Sequence, residues 1–333
     1  MKKFLFTLRS FSVVGTTLFV VAFSFHACSQ DAAVKDTSWK KGGFVSLMFN
    51  QVAFSHWAGG GVGSLSLTGI GNSFANYQKG KNYWNSFMNL QYGITETQYE
   101  RKPKKNIDIF ELQTKAGHAI GGKFNLTALA DFVSQLTNGY NYPNDSLVIS
   151  KFLAPAYLTL SVGVEWKPVD YFSLYLSPAT GKFTFVSDQE IADITLNGAS
   201  LYGTDPAVYD SNGVLLTHGE TVRKEFGAYF TAQFQKDIFK NVNLATRLQL
   251  FDNYTDKNES NRKNVDVAYD LLLNMKFNKW LAASFFVNII YDNDITIADV
   301  DADGNPTGEA GPRTQVKEGI GIGITYKFGY VPK

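Results

Sequence analysis

The 333-residue chain has one cysteine, Cys28, so neither an intrachain disulfide nor a cysteine-built zinc site can form. Histidine is almost as scarce, at four, which leaves few imidazoles for general-base work. Positive charge is not in surplus: 31 Lys+Arg stand against 30 Asp+Glu with no basic block, which excludes a protein that binds nucleic acid by displacing counterions. Beyond residue 30, no stretch approaches the roughly 18 consecutive apolar residues of a membrane-crossing helix. Nor is the chain a disordered one, because 44% of it is hydrophobic and only 18% charged. What it has in quantity is aromatic residues (15%) and glycine (29 residues), a composition suited to β-structure with many turns.

Residues 1–29 read as an export signal. Lys2 and Lys3 open it, a largely apolar run from Phe11 to Phe25 follows, and small residues stand at Ala27 and Ser29. Its removal leaves 28 basic and 30 acidic residues in a domain spanning 30–333. A lipoprotein is the alternative, with cleavage before Cys28 and lipidation of that cysteine; Phe25, three residues upstream, replaces the usual branched aliphatic.

Period-two alternation recurs along the mature chain. In 264–277 the odd positions Val265, Val267, Tyr269, Leu271, Leu273, Met275 and Phe277 are apolar, whereas Asp266, Asp270, Asn274 and Lys276 lie on the other face. Segments 154–167 and 315–328 repeat the pattern, Glu318 being the one breach, and 122–135, 223–237, 241–252 and 281–293 resemble them. Segments 43–57, 62–77, 82–95, 106–118 and 170–178 complete a set of twelve, with facing that bulges could shift. The links alternate in length: short turns such as Gln78–Lys81, Lys167–Asp170, Asp237–Lys240 and Asn278–Lys279, against long links such as 96–105, 136–153, 179–222, 253–263 and 294–314. That parity predicts an all-β fold: a single antiparallel transmembrane β-barrel of about 12 strands, with periplasmic turns and termini, in the outer membrane of a Gram-negative bacterium. The alternative fold is a secreted soluble β-protein. Trp39, Trp84, Trp166 and Trp280 fall at the expected periplasmic rim and Trp57 at the external one, where amphipathic rings anchor in lipid headgroups.

Twelve strands enclose a lumen wider than the side-chain-filled interior of an 8-stranded barrel. The inner faces are expected to carry Lys123, Arg247, Lys276, Lys317 and Lys327 against Asp131, Glu165, Glu225, Asp266 and Asp270. A water-filled passage for small polar solutes and a plug of mutual salt bridges both satisfy such groups. The balance of five against five predicts weak charge selectivity if the lumen conducts, with loop 179–222 as the segment to constrict its mouth.

The segment Trp39-Lys40-Lys41-Gly42-Gly43, then Asn50-Gln51, then Trp57 followed by Gly59-Gly60, resembles the opening of a Bacteroidetes-restricted family of envelope proteins known as a domain of unknown function. Phe74-Ala75-Asn76-Tyr77 followed by Lys79-Gly80-Lys81 extends the resemblance into the rest of the mature chain. It implies an outer-membrane location in such a bacterium and brings no activity with it. A physical reading of the repeated Trp-x-x-Gly-Gly at Trp39 and Trp57 is a rim anchor followed by glycines that permit a bend.

Three functions are open at this point. The first is a passive channel for small polar solutes, the second a non-transporting scaffold or anchor for a protein partner whose identity the sequence leaves open. The third is a lipid-modifying enzyme using external His56, although the adjacent Ser55 would point to the opposite face of a strand. Of the remaining histidines, His26 lies in the signal, His118 at a periplasmic turn and His218 outside. Phosphate-cradling loops, nucleophile elbows and zinc helices do not occur. No cofactor is required. In 294–314, however, Asp299, Asp301 and Asp303 with Gly304 and Asn305 reproduce the 1-3-5-6 spacing of a Ca²⁺ loop, with Ala310 at the twelfth position and Glu309 one residue early. The expected partners are outer-membrane lipid, the barrel-assembly machinery and a small polar solute.

Overall fold

A computed structural model describes residues 38–329 except 54–61, 98–101, 143, 258, 260 and 301–305. Twelve long strands hydrogen-bond each to the next, and the last to the first, as a closed antiparallel barrel. They are β1 (Trp39–Val52), β2 (Ser64–Lys79), β3 (Asn82–Thr97), β4 (Lys104–Gly121), β5 (Phe124–Ser134) and β6 (Ala156–Val169). The second half comprises β7 (Phe172–Phe185), β8 (Val222–Phe239), β9 (Val242–Asn253), β10 (Val265–Lys276), β11 (Leu281–Tyr291) and β12 (Gln315–Gly329). β1 closes the ring on β12 in register, Gly42 opposite Gly329 and Phe49 opposite Ile322. Closure pairs every barrel strand on both edges, which is the condition a sheet must meet to cross hydrocarbon.

The side-chain alternation turns inside out relative to a soluble barrel. On β6, Ser161 and Glu165 are buried while Leu160, Val162, Val164 and Trp166 are exposed; on β12, Val316, Ile320, Ile322 and Ile324 are each more than half exposed. An apolar outer face over a polar inner face is stable only where lipid, not water, is outside. No helix among the described residues is long and apolar enough to cross a membrane. The molecule is therefore a transmembrane β-barrel in fold class.

Short turns join β2/β3, β4/β5, β6/β7, β8/β9 and β10/β11 at one end, where β1 starts and β12 finishes. Three of them carry left-handed residues, Gly80, Gly122 with Lys123, and Asn241, as tight hairpins matching the right-handed strand twist require. At the other end, the loop end, residues 186–221 form the longest link. It holds a one-turn helix Gln189–Ala192 capped by Asp188 and two small hairpins, Thr195–Leu196 with Ala199–Ser200 and Val208–Tyr209 with Leu215–Thr217. Val186, Ile191 and Ala192 pack with Ala154 of the preceding long loop into a small apolar core, supported by Val148 and Tyr202. Tyr202 also donates to the Ile149 carbonyl at 2.6 Å.

Two strands depart most from expectation. The first runs over Trp39–Val52 and not 43–57, because Trp39 already pairs with Tyr77 across β1/β2 and the pairing ends at Val52 with Ser64. The seventh does not stop at 178 but continues to Phe185, so the loop expected at 179–222 shortens to 186–221. The reason is a bulge: the pairing shifts on both sides of β7, between Val162 and Val164 on β6 and between Gly227 and Tyr229 on β8. Pro178, which has no N–H to give a ladder, sits in that bulge. Ser177 repairs the gap, its Oγ donating to the Val162 carbonyl at 2.8 Å.

Candidate functional site

The inner face of the barrel gathers its ionisable residues into three layers. Midway along the strands, Arg247 on β9 donates through Nη1 to Glu111 Oε1 on β4 at 2.6 Å. Its Nε and Nη2 reach Asp270 Oδ2 on β10 at 3.0 and 2.9 Å. Since β4 and β9 stand on nearly opposite sides of a twelve-membered ring, this ion pair is a bar across the lumen. Amides extend it along both walls: Asn288 Nδ2 to Asp270 Oδ1 at 2.7 Å, Asn89 Nδ2 to Glu111 Oε2 at 3.2 Å, and Asn72 Nδ2 to Asn89 Oδ1 at 3.1 Å.

Nearer the turn end, Lys115 of β4 meets Glu165 of β6 at 3.3 Å and Gln233 Oε1 of β8 at 3.4 Å. Tyr83 of β3 donates to Glu165 at 2.6 Å, so one carboxylate takes bonds from two strands. Nearer the loop end, Lys182 of β7 lies 2.6 Å from Asp266, 3.5 Å from Asp292 and 3.8 Å from Glu225. Arg223 binds Glu225 at 2.8 Å and also pairs with Asp294. Between the layers Leu129, Tyr175, Tyr229 and Phe251 form an apolar shelf inside the barrel. Lys115 stands over the Tyr175 ring and Lys182 over the Phe251 ring, at 5.7 and 5.0 Å from the centroids. Above this, the long loop comes down on Arg223 and Asp294 at Gly203, where a side chain would collide with the Arg223 guanidinium.

Arg247, Asp270, Glu165, Glu225 and Asp266 thus lie in these networks. Asp131 is buried in the same lumen, opposite Gln113 and Thr159, with Oδ1 lacking a hydrogen-bond partner. Lys317 keeps the inner-face register opposite Asn288 but is exposed near the loop end. Lys276 and Lys327 neighbour each other at the turn end. Lys123 requires correction: it is not on a lumen wall but occupies the Gly122–Lys123 turn with φ 67°. Its ammonium binds the Pro168 carbonyl, beside a turn-end cavity of about 620 Å³ that also touches Gln78, Lys167 and Tyr171. The Gly121-Gly122 pair before it is the signal for that turn. The five-against-five balance is also revised: Arg247 is the one expected cation in the paired layers. Lys115, Lys182 and Arg223 supply the others, against a larger number of carboxylates. Alternation at Glu111, Gln113 and Lys115 marks the polar face of β4, and Lys182 was hidden behind Pro178.

Trp39, Trp84, Trp166 and Trp280 all stand exposed at the turn end, Trp39 5.0 Å from Tyr77 and 6.5 Å from Trp84, and Trp166 stacked on Phe124 at 6.3 Å. Ser55, His56 and Trp57 lie outside the described residues, as do Asp301, Asp303 and Asn305. Asp299 and Glu309 fall in the two arms of a hairpin, Ile297–Val300 paired with Pro306–Gly311. Among the described residues no cluster of three His, Cys, Asp or Glu side chains could hold a metal ion.

His218, in the long link at the loop end, meets Asp193 through Nδ1 at 2.8 Å. Desolvation pushes the Asp193 carboxyl up, but bonds from His218, Gln189 Nε2 and the Gly219 N–H outweigh it and hold the group below the usual carboxylate range. A depressed folded-state value adds stability above the unfolded pKa and loses it as pH falls through the folded one. Proteolytic nicking of loop 186–221 should therefore accelerate below about pH 4, near the unperturbed value. Asp193→Asn should nick at a rate that no longer changes across that window, and an unchanged pH profile in the variant would show that Asp193 does not govern the loop.

Residues 49–140 match a family described as a protein of unknown function (DUF3078). No curated protein matches the sequence. Among solved structures, the chain is similar to an outer-membrane channel from Pseudomonas putida F1 (13% identity, 88% of this chain and 96% of that one, TM-score 0.38). It is also similar to the translocator domain of the autotransporter NalP from Neisseria meningitidis (9%, 86% and 88%, 0.33) and to the NanC porin (8%, 85% and 98%, 0.34).

Proposed function

We propose that the chain is an outer-membrane β-barrel whose lumen is shut by ion pairs, a scaffold that holds a folded loop cap at the cell surface. The turn end, where β1 starts and β12 finishes, faces the periplasm. The observation that carries this reading is the Arg247–Glu111 pair bridging opposite walls, with a second ionic layer on each side of it. Outward-facing aliphatics and the turn-end tryptophans support outer-membrane lipid as the surrounding partner. A cleaved signal at 1–29 and the barrel-assembly machinery would deliver the chain there. The Trp39–Gly43 and Trp57–Gly60 motifs support placing the source among Bacteroidetes.

A second reading, a gated channel for small polar solutes, is favoured by the bar being made of side chains alone. A change of rotamers at Arg247 would part it without breaking a strand ladder. Planar-bilayer recording of the refolded mature chain separates the two. The wild type is expected to be silent, and discrete steps from it would overturn closure. Silence in the wild type together with steps from the Glu111→Ala/Arg247→Ala variant would favour the gate. Recording with Ca²⁺ and then with chelator tests the proposal that Asp299, Asp301, Asp303, Asn305 and Glu309 take up that ion as a structural brace.

A further inference from the structure

Charge is segregated along the barrel axis. In the short turns and within four residues of them, including the start of β1 and the end of β12, there are eleven lysines and two aspartates, Asp170 and Asp237. The whole chain carries nearly equal numbers of each sign, so the basic end is a feature of placement and not of composition.

The positions of these lysines decide what they could meet. Lys41 shares the outer face of β1 with Val45, Leu47 and Phe49, and Lys236 shares that of β8 with Phe226 and Phe234. Lys79 follows Tyr77 on the outer face of β2, and Lys279 is in the β10/β11 turn. Three of these four sit on an exposed ring: Lys41 is 4.9 Å from the Trp39 centroid, Lys236 4.1 Å from Tyr171 and Lys279 5.1 Å from Trp280. They are spread over nearly half the circumference, from β8 through the β10/β11 turn to β1, just beyond the apolar band. A protein partner docking on one side would miss either Lys236 or Lys41, whose strands stand five places apart in the ring, whereas a lipid leaflet meets them all.

We propose that the turn end is a ring-shaped receptor for anionic phospholipid headgroups, in which Lys41, Lys79, Lys236 and Lys279 bind lipid phosphate and the neighbouring rings hold each ammonium at headgroup depth. This rests on the membrane-barrel reading above. The ring favours insertion with this end in the phospholipid leaflet of an asymmetric outer membrane.

The test uses the mature chain refolded into vesicles of phosphatidylcholine, with or without phosphatidylglycerol. Protease-resistant insertion into phosphatidylcholine alone is the readout of the membrane-barrel reading, and its failure would sink that reading separately. Phosphatidylglycerol is expected to raise the thermal midpoint by about 5 °C, a rise that high salt removes. The Lys41→Gln/Lys79→Gln/Lys236→Gln/Lys279→Gln variant should insert like wild type into phosphatidylcholine and show no rise. No rise in the wild type, or an equal rise in the variant, would overturn the proposal. So would the same rise from soluble glycerophosphoglycerol, which would make the site one for a free phosphodiester.

Discussion

Arg247→Met is expected to cost the folded barrel about 3–5 kcal/mol, because it leaves carboxylates without their cation in the lumen. The cost falls unevenly. Each carboxylate keeps an amide donor, Asn89 for Glu111 and Asn288 for Asp270, but Glu111 has a side chain only 6% exposed whereas Asp270, at 36%, can be rehydrated. Removing the charge from all three positions, as Arg247→Met/Glu111→Gln/Asp270→Asn, should restore more than half of the lost stability, since neutral amides carry no uncompensated charge. Urea unfolding in lipid vesicles reads both variants. If Arg247→Met unfolds at the wild-type midpoint, the bar contributes nothing and the lumen is not closed by it. If the triple variant is as unstable as the single one, the loss is one of packing around the guanidinium stem and not of unpaired charge.

This pair also shows where reading from sequence stops. Arg247 and Asp270 could be placed on inner faces from local alternation, and Asp270 lies directly opposite Arg247 on the neighbouring strand. Glu111 is 136 residues away from Arg247, and nothing local to either says that they meet. Only ring closure, with β4 carried round to face β9, brings them together. The strand count, the parity of the turns and the two faces were legible because each is set within one strand or hairpin. Which inner charges neutralise one another is a property of the whole cross-section.

Local irregularity hid the rest. Pro178 breaks the period that identifies β7, so Thr180, Lys182 and Thr184 read as loop although all three face inward, with both threonines fully buried. Lys123 erred in the opposite direction, because it keeps the parity of Asn125 and Thr127 but belongs to a turn whose left-handed residues take it out of the wall. In both cases the alternation was real, and one residue with special backbone demands changed what it meant.

The Pro178 bulge leads to the second large effect, at the glycine that faces it. Gly163 on β6 stands where the ladder to β7 shifts, Val162 pairing with Ala179 and Val164 with Leu176. The extra length of β7 pushes its backbone into the space a side chain would take. A Cβ on Gly163 would collide with the Leu176 carbonyl oxygen and lie 2.7 Å from Ser177 Cα, and neither atom can swing aside as a side chain would. Gly163→Ala should therefore cost about 2–3 kcal/mol, at the upper end of overpacking penalties, by forcing the bulge open and stretching the Ser177 bond to Val162. Gly71→Ala on β2 is the matched control, since its Cβ would meet only Leu90 Cβ at 3.9 Å, an ordinary contact, and should change stability by less than about 0.5 kcal/mol. Urea midpoints of the two alanine variants, measured side by side in the same vesicles, decide the matter. Equal midpoints would mean that β7 relaxes freely around Pro178. A low midpoint for Gly163→Ala alone would identify the Gly163–Ser177–Pro178 contact as what holds β7 in register, and so keeps Lys182 among its carboxylates.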